Sequence, residues 1–204
     1  MNMNKIDTII FDIGNVLVDF CWEEGIAKMN LPDHIAERLA NATIKSAMWN
    51  EYDRGILSDD ELLEGFIAND TEIEDVIRLF ILDYYKYIVR QRDYAHEWIK
   101  DLHAQGYKVY YLSNFSKRGH IEFTKELDFI PECDGGILSY EDKLIKPDAA
   151  IYELLIDRYD IVPENAVFID DSETNVEAAR RASLNAIRFT SREEVLKELK
   201  KYGV

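Results

Sequence analysis

The sequence predicts an α/β fold: a Rossmann-like, doubly wound parallel sheet with a helical bundle inserted after its first strand. Three observations carry this. A continuous apolar run over residues 6–11 reads as a buried strand. From residue 91 onward, short apolar runs alternate with helix-length segments, a pattern that builds a parallel sheet with right-handed crossovers. Between them, apolar residues recur at three- and four-residue spacing with no strand in sight. The chain therefore divides into an α/β core, residues 1–20 plus 91–204, and an inserted α-helical cap, residues 21–90.

Each element has its own signal. In the insertion, Ile35, Leu39 and Ala42, then Leu62, Leu63, Phe66 and Ile67, then Val76, Ile77, Phe80, Ile81, Tyr84 and Tyr85 mark helical faces. Breaks fall at Leu31-Pro32-Asp33 and at the turn around Gly55. Ser58 followed by Glu61 is a capping box that starts a helix. A helix over 93–105 is closed by Gly106, and residues 108–112 form the next strand. Residues 118–127 read as a helix and 136–138 as a short strand. A helix over 148–159 opens just after Pro147. Residues 166–169 are a fully apolar strand, followed by a helix over 173–182. A last strand, 186–189, and a last helix capped by Ser191, 191–201, complete the alternation.

Composition bounds the function. With 204 residues, 47% of them hydrophobic, the chain can bury one sizeable core with a smaller insertion. Forty acidic against 24 basic residues give a net charge of −16, which repels nucleic acid and anionic membranes. The same charge repels anionic substrates at long range, so a phosphate site must be locally positive. Cys21 and Cys133 form neither a disulfide framework nor a metal motif, in keeping with a reducing cytoplasm. The first residues lead straight into the first strand and predict no signal peptide. No apolar run approaches the ~20 residues that span a bilayer.

Four features stand at strand ends or helix starts. They are Asp12 after the first strand, Ser113-Asn114 after the second, Lys146-Pro147 before a helix, and Asp170-Asp171-Ser172 after the strand at 166–169, with Asn175 one turn further. In a doubly wound sheet these ends converge on one crevice. Each alone is an ordinary turn or cap signal. Together they have the residue types for phosphoryl transfer. Asp12 is a nucleophile able to become an aspartyl-phosphate. Ser113 can donate to a phosphate oxygen, and Lys146 supplies a positive charge for phosphate and nucleophile. Asp171 with Asp12 can hold Mg²⁺ through hard oxygen ligands, easing the repulsion between carboxylates and phosphate.

These motifs resemble those of the haloacid dehalogenase superfamily of aspartate-dependent phosphatases, over the whole chain. Phe11-Asp12-Ile-Gly14-Asn15-Val16 is similar to its first motif, Leu112-Ser113-Asn114 to its second, Lys146-Pro147 to its third and Phe168-Ile-Asp170-Asp171 to its fourth. The first and fourth motifs and the Arg54-Gly55-Ile-Leu-Ser58 stretch most resemble the branch of bacterial alpha-glucose-1-phosphate phosphatases and the phosphatase half of soluble epoxide hydrolases. The resemblance implies Asp12 as nucleophile, with Mg²⁺ on Asp12, the Gly14 carbonyl and Asp171, supported by Asp170. It implies phosphate binding by Ser113, Asn114 and Lys146. It also implies a small phosphorylated metabolite, a sugar phosphate above all; separately, the expectation is a cytoplasmic monomer or homodimer.

One departure matters. Most phosphatases of the superfamily carry a second Asp two residues after the nucleophile, which gives a proton to the leaving group and takes one from water. Here that position is Gly14. Loss of such acid–base help costs ~10²–10⁴-fold, least for intrinsically good leaving groups. The expectation is a preference for anomeric or activated phosphates, or a proton relay through substrate or water. Asp19, several residues past the nucleophile, is a poor substitute. In the cap, Trp49, Asn50, Tyr52 and Arg54 precede the Gly55 turn and combine a flat face, hydrogen-bonding groups and a positive charge for reading a substrate. His120 and Arg118, after the Ser113 loop, are more distant candidates. Two other readings stand beside the phosphatase: a metal-free 2-haloacid dehalogenase, in which Asp12 attacks carbon, and a non-catalytic phosphate-binding protein. Asp170 and Asp171 argue against the dehalogenase, because a metal-free site has little use for their charge.

Overall fold

The computed structural model describes residues 5–204; Met1–Asn4, the start of the stretch read above for a signal peptide, lie outside the described residues. Five strands form one parallel sheet: β1 (Thr8–Phe11), β4 (Lys108–Ser113), β5 (Gly135–Leu138), β6 (Ala166–Asp170) and β7 (Asn185–Arg188), in the order β5-β4-β1-β6-β7. β1 lies at the centre, with Ile10 opposite Tyr110 on one side and Phe168 on the other. From β1 the chain winds outward through β4 to β5, then returns to the other side of β1 for β6 and β7. The direction of winding therefore changes between β1 and β6, where such sheets place their crevice.

Successive side chains of a strand point to opposite faces, and both faces here are covered. Ile9 and Phe11 pack with Trp98 of α6 (Ala95–Ala104) and Val195 of α11 (Arg192–Leu199). Ile10 and Phe168 pack with Tyr152 of α9 (Ala149–Arg158) and Val176 of α10 (Glu173–Arg181). Burial on both sides explains why these strands are continuous apolar runs in the sequence. Gly106 ends the α6 turn with φ of +88°, the left-handed conformation expected of a closing glycine.

Between β1 and β4 the chain forms α1 (Trp22–Ala27), α2 (Asp33–Ala42), α3 (Ala47–Arg54), α4 (Asp59–Asn69) and α5 (Glu74–Leu79). The capping box at the start of α4 is complete: Ser58 Oγ accepts from the Glu61 N–H, and Glu61 accepts from the Ser58 N–H at 2.9 Å. The run of apolar residues after α5 is not one helix, since a π-helical turn over Phe80–Tyr84 and a 3-10 turn over Tyr85–Tyr87 follow. A two-stranded antiparallel ribbon was not expected. β2 (Val18–Phe20) pairs with β3 (Val89–Gln91) where the chain leaves for and returns from the helices. Three residues per strand are too few for periodicity to register. The helix expected over 118–127 is shorter, α7 (Lys117–Glu122), and a short helix α8 (Ser139–Asp142) follows β5. Both cysteines are free, and among the described residues no helix is long and apolar enough to cross a membrane.

Candidate active site

Asp12 follows β1 and is kept in line with the sheet by its N–H, which donates to the Ile169 carbonyl at 2.8 Å. Its Oδ1 accepts from the Ile13 N–H (2.7 Å), from Ser113 Oγ at the end of β4 (2.9 Å), and lies 2.8 Å from Lys146 Nζ. All of these converge on one oxygen, which fixes the carboxylate and leaves Oδ2 free of those bonds. Lys146 is itself buried, and its Nζ also donates to Asp170 Oδ2 at 2.6 Å. The loop carrying Lys146 is positioned by Asn114, whose Oδ1 accepts from the Lys146 N–H (2.7 Å) and whose Nδ2 donates to the Lys146 carbonyl (2.9 Å). Both ends of the Asn114 side chain are thus occupied. Asn114, expected to bind phosphate, lines the cavity beside Asp12 while its side chain holds the Lys146 backbone.

Asp170, at the end of β6, is fully buried. Its Oδ1 accepts from the Ser172 N–H at 2.8 Å, and Asn175 Nδ2 donates to both of its oxygens at 3.1 Å. Asp171 accepts from Asn15 Nδ2 at 2.9 Å, while Asn15 Oδ1 accepts from the Phe20 N–H at 3.1 Å. Asn15 sits in the left-handed region, φ +55°, which asparagine tolerates better than most residues. It ties the turn after the nucleophile to both β6 and β2, a role its place in the first motif did not reveal.

The electrostatics of this cluster are unbalanced. Asp12, Asp170 and Asp171 each offer an oxygen within 4.8 Å of the others, and Lys146 is the ammonium among them. Burial pushes the Asp12 carboxyl upward; Lys146 opposes this, and the charges of Asp170 and Asp171 add to it. Burial alone would discharge Lys146, but Asp12 and Asp170 outweigh it and hold the lysine charged. Three clustered carboxylates facing one cation, with hard oxygen donors, suit a divalent metal of the Mg²⁺ kind.

Beside the cluster opens a cavity of about 250 Å³. Asp12, Gly14, Asn114, Ser116 and Asp171 line one part of it; Val18, Phe20, Trp49, Ile88, Phe115 and Phe123 make it largely apolar elsewhere. Of the four cap residues expected to read a substrate, Trp49 alone reaches it. Helical geometry supplies the reason. Positions four apart share a face, so Trp49 shares its face with Asp53, and Asn50 shares another with Arg54. Asn50 is exposed, and Arg54 pairs with Glu51 and Asp148, each at 3.5 Å. Tyr52 is buried in the aromatic packing of Trp49, Phe66 and Tyr85. Asp53 lines the cavity and was missed by sequence reasoning, although the four-residue step from Trp49 points to it. His120, Arg118 and Asp19 are not among the residues lining this cavity. His120 Nδ1 lies 2.9 Å from the Tyr140 hydroxyl, Arg118 lies over the Tyr85 ring, and Asp19 pairs with Arg92 at 2.9 Å.

Comparison with known proteins adds the following. A family model described as haloacid dehalogenase-like hydrolase matches residues 6–183. The chain is 27% identical over 198 residues to a drimenol cyclase of Aspergillus calidoustus, covering 95% of this chain but 36% of that protein's length. It is 26% identical over 183 residues to a D-ribitol-5-phosphate phosphatase of Bacteroides thetaiotaomicron, covering 84% of this chain and 85% of that one. Among solved structures, a HAD family enzyme of Bacteroides thetaiotaomicron in its magnesium complex superposes with a TM-score of 0.74 at 20% identity, over 95% of this chain and 98% of that one.

Proposed function

The chain belongs to the haloacid dehalogenase-like hydrolases, and from that premise we propose that it is a Mg²⁺-dependent phosphomonoesterase acting on a small phosphorylated metabolite, a sugar phosphate in particular. The observation that carries this is the setting of Asp12: a carboxylate at the central strand end, held by Ser113 and Lys146, with Asp170 and Asp171 close enough to share a cation. The phosphatase relative gives further support.

In this reading Asp12 attacks phosphorus and the bond to the leaving oxygen breaks, giving an aspartyl-phosphate that water hydrolyses. Asp12, Asp171 and the Gly14 carbonyl would hold Mg²⁺, with Asp170 behind them. A bound Mg²⁺ supplies charge neutralisation for the phosphoryl oxygens and the carboxylates. Ser113 and Lys146 hold the nucleophile before substrate arrives and turn to the phosphoryl oxygens once it is bound. Asp170 keeps Lys146 charged and aimed throughout. The helical segment 21–90 acts as a cap, and Trp49 and Phe20 offer flat faces to the part of the substrate beyond phosphate.

Phosphate release from a panel of sugar, polyol, nucleotide and cofactor phosphates, with Mg²⁺ and with EDTA, tests this. The expected result is metal-dependent release that disappears in Asp12→Asn. Turnover of a haloacid without metal, and none of any phosphate, would transfer the site to the dehalogenase reading.

A further inference from the structure

Expelling an alkoxide from phosphorus calls for a proton at the departing oxygen, and Gly14 has no side chain to give one. A Cβ built on Gly14 meets nothing within 4 Å, so the space where a motif-one acid would stand is open. Other proton carriers near the nucleophile are already engaged. Asp19 is paired with Arg92, and Asp171 is bonded to Asn15 within the carboxylate cluster. The Tyr85 hydroxyl lies 3.0 Å from Ser116 Oγ, and burial pushes the phenol still higher than its ordinary range.

Asp53 differs from all of these. It lines the same cavity as Asp12 and Gly14 but arrives from the opposite side, on α3. Its main-chain carbonyl is pinned, accepting from Ser139 Oγ at 2.6 Å, while its carboxyl makes none of the hydrogen bonds or ion pairs found among the described residues. A half-buried carboxyl with no hydrogen-bond or ion-pair partner, on a residue lining the nucleophile's cavity, has no such pairing to explain it. Burial pushes it to about 8; the charge of Asp12 acts the same way and Lys146 opposes both, with Asp171 and Tyr85 the other titratable groups on the cavity wall. It therefore carries its proton near neutrality, where acid–base catalysis is most effective.

We propose that Asp53 is the general acid–base of this site, a cap-borne replacement for the carboxylate that Gly14 lacks. The proposal rests on the phosphomonoesterase reading. In the first step Asp12 bonds to phosphorus, the bond from phosphorus to the leaving oxygen breaks, and that oxygen takes the Asp53 proton to depart as an alcohol. In the second, Asp53, now a carboxylate, takes a proton from water as the water oxygen attacks phosphorus. The bond to Asp12 breaks, phosphate leaves, and Asp53 is protonated again.

The test compares parent, Asp53→Asn and the double variant Gly14→Asp/Asp53→Asn, each with Mg²⁺, on glucose 6-phosphate and p-nitrophenyl phosphate. For Asp53→Asn the expected result is a ~10²–10⁴-fold loss on the alkyl ester. With p-nitrophenyl phosphate, whose leaving group needs no proton, a stoichiometric nitrophenolate burst persists and is followed by slow turnover. The double variant recovers at least ~10-fold of the alkyl-ester rate, because the new acid enters open space. In the parent, single-turnover phosphorylation by the alkyl ester falls as rising pH removes the Asp53 proton, and in Asp53→Asn that limb of the profile is absent. Equal losses on both substrates with no burst, or unchanged turnover, overturn the assignment while parent activity upholds the phosphatase. If the parent releases no phosphate from either ester, the phosphatase reading fails and the role of Asp53 fails with it.

Discussion

Lys146 stands buried between Asp12 and Asp170, and its charge is what permits two carboxylates to lie so close in the core. Lys146→Met leaves them uncompensated. Breaking a buried pair from one side costs about 3–5 kcal/mol, so the melting temperature falls markedly, by ~2–4 °C per kcal/mol in a chain of this size. Calorimetry with and without Mg²⁺ checks this: the metal restores part of the melting temperature, and phosphate release stays absent. Asp53 has the opposite stability signature. Its folded-state value of about 8 lies above the ordinary 3.8, so between those values the folded chain binds more protons than the unfolded one. Stability is then lost as pH rises through that window. Asp53→Asn removes the loss, and its melting temperature exceeds the parent's by a margin that grows from about pH 5 to about pH 8 and then levels off. A residue whose removal stabilises the fold while disabling turnover is kept for its chemistry.

At the scale of elements, the decisive one is α3, which delivers Trp49 and Asp53. It ends at Gly55, whose φ of +68° closes the helix in the left-handed region, and a Cβ there would lie 2.8 Å from Tyr140 Cβ. Gly55→Ala combines that strain, about 1–2 kcal/mol, with a push of α3 away from α8. The expected outcome is a lower melting temperature together with a raised KM, both visible in one thermal scan and one substrate titration. How much of this could be read from the sequence depends on the kind of signal each element leaves. The buried strands announced themselves because both faces of the sheet are covered, and the Ser58–Glu61 box because capping is local chemistry. The β2–β3 ribbon left none, because pairing between residues so far apart is a tertiary event. The carboxylates after β1 and β6 were legible because strand ends in such sheets converge. Asp53 was not, because its place depends on how α3 rolls against α4 and α8, and a run of charged residues on a short helix looks like solvated surface.

The whole molecule carries a net charge of −16, and the substrate proposed for it is an anion. Lys146 is the one ammonium among the clustered carboxylates deep in the crevice, so approach of an anion is governed by repulsion and capture by short-range contacts there. Raising ionic strength from ~0.01 M to ~0.15 M shortens the Debye length from ~30 Å to ~8 Å. The expected result is a rise in kcat/KM for a phosphate ester across that range, through KM and with kcat unchanged. A fall would mean that the surface steers substrate inward after all.

The last turn of α3 is gripped through its backbone. Ser139 Oγ donates to the Asp53 carbonyl, and Lys143 Nζ donates to the Gly55 carbonyl at 2.5 Å. Ser139 is in turn tied to the loop beside the nucleophile, where the Phe115 N–H donates to its oxygen at 2.9 Å. Carbonyls that a helix end leaves unpaired are here claimed by α8 and the residue that follows it. Such a grip is blind to side chains, so the address of the helix is set separately from the message it displays. An exchange at position 49 therefore disturbs the packing of Phe20, Tyr52, Phe66 and Tyr85 around the Trp49 ring, while the backbone of the turn that carries Asp53 keeps its anchorage.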